Sequence, residues 1–250
     1  QKIVLEAYDD YLEGRPNIDQ FIYRIIPDSA TMFQELLYGG VDYIDVLTPL
    51  QYLRKTETRR IRENYQKFRY PSNKYTYLGY NLRSPLFAEK RVRQAIAYAI
   101  DRQSIIDGVL MGVGKPCTGP FSQVSWAYNP NTKNFGYNPD LARRMLAEAG
   151  WEDTDGDGVL DKNGQAFRFT ILTNQGNISR VRTAEIMQQN LKKVGIDVNI
   201  RVMEWQAFLE QVDKRTFDAI ILGWQLSRDP DLYDIWHSSK TKKGEYNFIG

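Results

Sequence analysis

Asp218 is followed by six residues without a polar side chain, Ala219-Ile220-Ile221-Leu222-Gly223-Trp224, before Gln225 restores polarity. The run is far short of the ~20 residues that a membrane helix needs. A strand with no polar alternation is the pattern of a strand buried on both faces, which places helices on either side of its sheet. The preceding residues supply such elements. Phe167–Thr173 reads as a strand, and Asn177 or Ser179 caps a helix with Ala184, Met187, Leu191 and Val194 in register, ended by Gly195. Val198, Ile200 and Val202 alternate as the next strand, and Trp205–Val212 reads as a short helix. The repeated strand–helix order predicts an α/β fold.

Upstream the pattern repeats less regularly. Ile3–Tyr8 reads as a strand. Phe21–Ile26 reads as another, with Phe21, Tyr23 and Ile25 on one face. Pro27-Asp28-Ser29 stops it and caps a helix carrying Met32, Phe33, Leu36 and Leu37, which ends at Gly39-Gly40. Tyr43–Leu47 is expected to follow as a strand, giving a β–α–β order. Tyr75–Asn81 is a further strand, with Tyr75 and Tyr77 on one face. A turn at Ser84-Pro85 then leads to an amphipathic helix with Val92, Ala95, Ile96 and Ala99 on one stripe. Asp101 caps the next helix, which carries Ile105, Ile106 and Val109. Residues 112–139 form a long loop rich in Gly, Pro and Asn. Asn138-Pro139-Asp140 opens a helix over Leu141–Ala149 that Gly150 stops. No internal repeat interrupts this order.

The 250 residues allow one large domain or two ordinary ones, at roughly 100–200 residues each. Thirty-three Lys and Arg against 31 Asp and Glu leave a formal charge of +2, which supplies no general drive toward nucleic acid or anionic membrane. Residues 54–69 hold seven basic and two acidic side chains, but without the aromatic spacing of a base-stacking platform they read as a solvated face. A basic n-region followed by an apolar h-region is not present at the start, and both ends read as cut from something longer. Aromatic residues make up 13% of the chain, which fits either core packing or a large binding cleft.

Little of the sequence supports catalysis. His237 is the sole histidine and Cys117 the sole cysteine, which excludes zinc sites of several N or S ligands and an intramolecular disulfide framework. A Gly-x-Ser-x-Gly elbow is absent, and the glycines at 108–114 lack phosphate-loop spacing. The sharpest local motif runs from Asp153 to Asp161. Asp153, Asp155, Asp157 and Asp161 occupy positions 1, 3, 5 and 9 of an EF-hand-like loop, with Gly158 at position 6 and the Val159 carbonyl at position 7. Gly164 replaces the bidentate Glu of position 12, so the loop is either a partial cage for a structural calcium ion or an Asx-rich turn that binds nothing.

Several blocks together resemble the family 5 solute-binding proteins, the peptide-binding components of ABC importers. They are Val92–Arg102; Tyr137–Asp140 through Leu146–Trp151; the Asp-Gly-Asp-Gly of 155–158; Gly223-Trp224 followed by Asp229-Pro230-Asp231; and Leu5–Pro16. They stand in the family's order across essentially the whole chain, which is similar to the middle and later part of those longer proteins.

The resemblance implies a periplasmic-binding-protein-like type II lobe with part of a second lobe. Residues 1–72 would be a partial segment of the first lobe, and residues 73–250 the second, incomplete at its C-terminal end. It further implies an exported protein, periplasmic or at the cell surface, that captures oligopeptides or related solutes for membrane permease subunits, without catalysis, cofactor or nucleic acid. By the same match, ligand contacts would come from Gly79, Tyr80, Asn81, Trp205, Gly223, Trp224, Gln225, Leu226, Ser227, Asp229 and Asn247. Relatives that pair the ligand's charged ends use an acidic residue and arginines. The matching positions here are Ser227, with Asp229 two residues on, and Val212 and Ile221, so recognition through the cargo's backbone is expected. The alternative from another class is a calcium-stabilised extracellular interaction or sensor module without a transport role.

Overall fold

The computed structural model describes residues 1–250 and divides into two compact units, Gln1–Phe68 and Arg69–Gly250. In the first unit, β1 (Lys2–Glu6) and β2 (Gln20–Arg24) form an antiparallel hairpin that sets Ile3 against Tyr23 and Leu5 against Phe21. Helix α1 (Ser29–Tyr38) starts where the Asp28 carboxylate accepts the Thr31 N–H, and it ends at Gly39 in the left-handed region, φ 77°. Two short helices, α2 (Pro49–Leu53) and α3 (Arg59–Asn64), fold against it around Phe33, Leu36 and Ile61.

The expected strand at 43–47 does not form. The two strands of this unit pair with each other, and Val41, Ile44 and Leu47 pack instead on the small helical core. The β–α–β order predicted for the first third is therefore a hairpin followed by helices. The basic side chains at 54–69 include Arg59, paired with Glu63 at 2.6 Å, and Lys67, paired with Glu57 at 2.5 Å.

The second unit is built on one mixed sheet. Its elements are β3 (Lys74–Tyr80), α4 (Lys90–Ala99), α5 (Arg102–Leu110), α6 (Pro139–Glu148), the small ribbon β4 (Asp161–Lys162) and β5 (Gln165–Ala166), β6 (Arg168–Asn174), α7 (Ile178–Lys192), β7 (Asp197–Met203), α8 (Trp205–Lys214), β8 (Ala219–Gln225) and α9 (Tyr233–Trp236). The sheet order is β3-β8-β6-β7, with β8, β6 and β7 parallel and β3 an antiparallel edge.

The apolar run is buried as its pattern requires. Ala219 and Ile221 join Phe169, Ile171 and Val198 beneath α4, α6 and α7. Ile220 and Leu222 face the other way, with Leu172, onto Phe208 and Val212 of α8 and onto Phe248. α7 and α8 thus cover opposite faces, and β7 and β8 lie on opposite sides of β6. The capping predictions hold at Asp101, Asn138 and Asn177, each accepting a backbone N–H three residues on.

Asn81 fastens the edge strand to the rest. Its buried amide donates to the carbonyls of Arg215 (3.0 Å) and Phe217 (2.9 Å), and its backbone N–H donates to Asp218 O (2.8 Å). Removing the amide strands these carbonyls in a dry site, so Asn81→Ala is expected to lower stability by about 1–3 kcal/mol in chemical denaturation. An unchanged denaturation midpoint would show that the carbonyls find other partners.

Candidate functional site

β6 and β8 are adjacent and parallel, and the strand order reverses between them. In open α/β sheets the crevice outside the carboxyl ends at such a switch point is where ligands bind. Asn174 ends β6 and Gln225 ends β8. Because β3 is antiparallel to β8, it brings its amino end, Lys74 and Tyr75, to the same place.

One face of this sheet end is aromatic. Tyr75 stands opposite Trp224, and its hydroxyl accepts the Trp236 indole N–H at 3.0 Å. Tyr77 meets Trp236 edge-on at 5.3 Å, and Trp224 stacks on Phe248 at 6.1 Å with Tyr246 edge-on at 6.0 Å. Pairs in these geometries add stability beyond the area they bury. Two buried polar atoms in the cluster, Tyr77 Oη and Trp224 Nε1, have no hydrogen-bond partner. Burial pushes the Tyr77 phenol up, and the neighbouring Trp224 indole opposes this. Unpaired buried donors are costly, which suits groups kept for a ligand.

On the other face Gly223 lies in a tight place. A Cβ there would stand 2.7 Å from the Tyr75 carbonyl oxygen, so only glycine lets β8 lie this close to β3. The same point is 3.5 Å from Nη2 of Arg180, in the first turn of α7.

The residues expected from sequence fall into two groups. Gly223, Trp224, Gln225, Leu226, Ser227 and Asp229 lie at or just past the carboxyl end of β8, and Trp205 opens α8 directly after β7, stacked on Phe208 at 5.7 Å. Gln225, Ser227 and Asp229 are exposed, whereas Leu226 is buried with its N–H donating to Asn73 O at 3.0 Å. Gly79, Tyr80 and Asn81 lie at the other end of the ladder, where Gly79 pairs with Ile220 and Tyr80 with Ala219. At ~3.3 Å per residue this separates them from Trp224 and Gln225 by about 13–23 Å. Gly79 is covered by the Tyr77 ring and Ile249, and Tyr80 packs on Phe87 at 4.9 Å. Asn247 is buried and donates to His237 O at 3.1 Å, while accepting the Gly250 N–H. Val212 and Ile221 are core residues on opposite faces of the sheet.

The Asp-rich loop brings carboxylate oxygens of Asp153, Asp155 and Asp161 within 4.8 Å of one another. Asp157 turns away to accept the Val159 N–H at 2.7 Å. Asp153 accepts the N–H groups of Gly156 (2.8 Å) and Gly158 (3.0 Å), and Asp155 accepts that of Asp157 (3.1 Å). Asx turns therefore account for the loop's shape. His237 bonds Ser239 through Nδ1 at 2.8 Å and stacks on Tyr233, with no carboxylate to orient it as a base.

A profile of the bacterial extracellular solute-binding proteins, family 5, matches residues 1–246. The chain belongs to that family. It is 43% identical over 249 residues to the oligopeptide-binding protein AppA of Bacillus subtilis, covering 98% of this chain and 45% of that protein. The structure of AppA in complex with a nonapeptide superposes with a TM-score of 0.86 over the whole of this chain and 49% of its own. NikZ of Campylobacter jejuni, solved with Ni(L-His), gives a TM-score of 0.87 at 26% identity, covering 99% of this chain and 49% of its own. The family 5 chain thus spans about half the length of the relatives it matches, and its fold is theirs over that span.

The aromatic end of the sheet carries a pH signature. Burial pushes the Tyr75 phenol up to about 12, partly offset by the hydrogen bond from Trp236. Below pH ~10 the phenol is protonated in folded and unfolded chains alike, and its contribution is complete. Between about 10 and 12 the unfolded chain ionises first, so stability falls as pH rises. The melting midpoint should drop across that range, and less steeply in Tyr75→Phe. A midpoint flat from pH 9 to 12 would contradict the burial of this phenol.

Proposed function

We propose that this chain forms part of the solute-binding subunit of an ABC importer, and that it takes extended peptides at the carboxyl end of β8. The observation that carries the reading is the switch point between β6 and β8, walled by Tyr75, Tyr77, Trp224 and Trp236. There a strand end with exposed backbone sits beside aromatic faces that accept varied side chains. The likeness to an oligopeptide-binding protein at 43% identity supports peptide as cargo.

In this reading residues 1–72 belong to one lobe and 73–250 to another, the intact protein works outside the cytoplasmic membrane, and it delivers cargo to permease subunits without chemistry of its own. Gln225, Ser227 and Asp229 present polar groups to the peptide, and Gly223 and Trp224 set its path. A calcium ion on Asp153, Asp155 and Asp161 would stiffen the loop and take no part in recognition.

Mass spectrometry of small molecules released on denaturing the intact protein tests the cargo. Peptides of varied sequence are expected. A single non-peptide solute, such as haem or a metal chelate, would overturn the peptide reading and leave solute capture standing.

A further inference from the structure

Arg180 is the one feature of the switch point that neither the hairpins, the core nor the aromatic wall explains. Its guanidinium is half-buried, and burial holds its pKa below the usual arginine range. None of the chain's ion pairs includes it. Its side chain donates through Nη1 to Asn174 Oδ1 at 2.8 Å, while Nη2 points past Gly223.

Its placement runs against helix stability as well. Arg180 lies in the first turn of α7, which contains no acidic residue. That is the end where the backbone dipole and unpaired N–H groups favour negative charge and disfavour a cation. A half-buried cation with no counter-ion, set where a cation is least welcome, is costly unless an anion arrives. Gly223 keeps the approach to Nη2 free of a side chain, because a Cβ would already stand 3.5 Å from it.

We infer that Arg180 is a specificity-determining residue whose guanidinium, held by Asn174, takes a carboxylate of the bound solute through the fork that Nη2 and its neighbour present beside Gly223. The inference rests on the peptide reading and deepens it, by supplying a carboxylate partner that Val212 and Ile221 do not provide. The carboxylate is the peptide's own terminus.

The test is calorimetry on the intact protein with three forms of one alanine-rich nonapeptide: carboxyl end free, carboxyl end amidated, and amidated with one glutamate. Amidation is expected to weaken binding tenfold or more in the unmodified protein. Arg180→Gln should bind free and amidated peptide alike, at the amidated affinity, and Arg180→Lys should recover part of the difference. Rescue by glutamate in the amidated peptide shows that a side-chain carboxylate also serves at the site, and its absence restricts the site to the terminus. The melting midpoint of ligand-free Arg180→Gln should be unchanged or raised, which separates loss of recognition from loss of fold.

If none of the peptides binds, the peptide reading fails, and the carboxylate site is read with succinate at constant ionic strength. Succinate should then raise the melting midpoint of the unmodified protein and leave Arg180→Gln unmoved. Equal discrimination against amidation in the unmodified protein and Arg180→Gln, or an equal response of both to succinate where no peptide binds, overturns the inference.

Discussion

Over Ala219–Leu222 β8 has no solvent face, and everything else in the larger unit is arranged around that. Ile220, Ile221 and Leu222 are buried in alternate directions, so each must find its own apolar cover. At roughly 1.5–3 kcal/mol for each side chain of this kind removed from water, the strand holds α4, α6 and α7 on one face and α8 on the other. The covering helices then dictate the connections. α7 links β6 to β7 on one side and α8 returns the chain to β8 on the other, which is the reversal that opens a crevice at the strands' carboxyl ends. The site follows from how a doubly buried strand is covered.

The crevice departs from what makes the rest stable. In the core, aromatic rings such as Phe87, Phe167 and Phe169 carry no polar atoms and are fully buried. At the carboxyl end of β8 the rings are Tyr and Trp, two of their polar atoms lie unpaired, and an arginine stands without a counter-ion. Local departures of this kind cluster at binding sites, because a ligand supplies the missing partners. The Asp-rich loop shows the opposite behaviour. There Asp153, Asp155 and Asp157 each accept N–H groups of their own turn.

What could be seen in the sequence was what local physics decides. The unbroken run at 219–224 announced a strand buried on both faces, and Asp101, Asn138 and Asn177 announced their helix starts, because a cap lies within three residues of what it caps. The strand predicted at 43–47 failed for a non-local reason: strand propensity needs an edge to pair with, and that unit offers none beyond its hairpin. The family resemblance singled out Trp224 and its successors, which the structure places at the carboxyl end of β8. Trp236, Arg180 and the pairing of Tyr75 with Trp224 were not, since they meet across 43–161 positions and no local pattern encodes that distance. Antiparallel pairing also sets Gly79–Asn81 at the far end of the ladder from Trp224. The order of residues along a chain does not reveal that.

The most direct measurement is hydrogen–deuterium exchange of the intact protein with and without its bound solute. Ligand-dependent protection is expected at 174–180 and 223–229, the segments that flank the switch point, with no change at 79–81. Protection confined to 79–81, with 223–229 exchanging equally in both states, would contradict a site at the carboxyl end of β8.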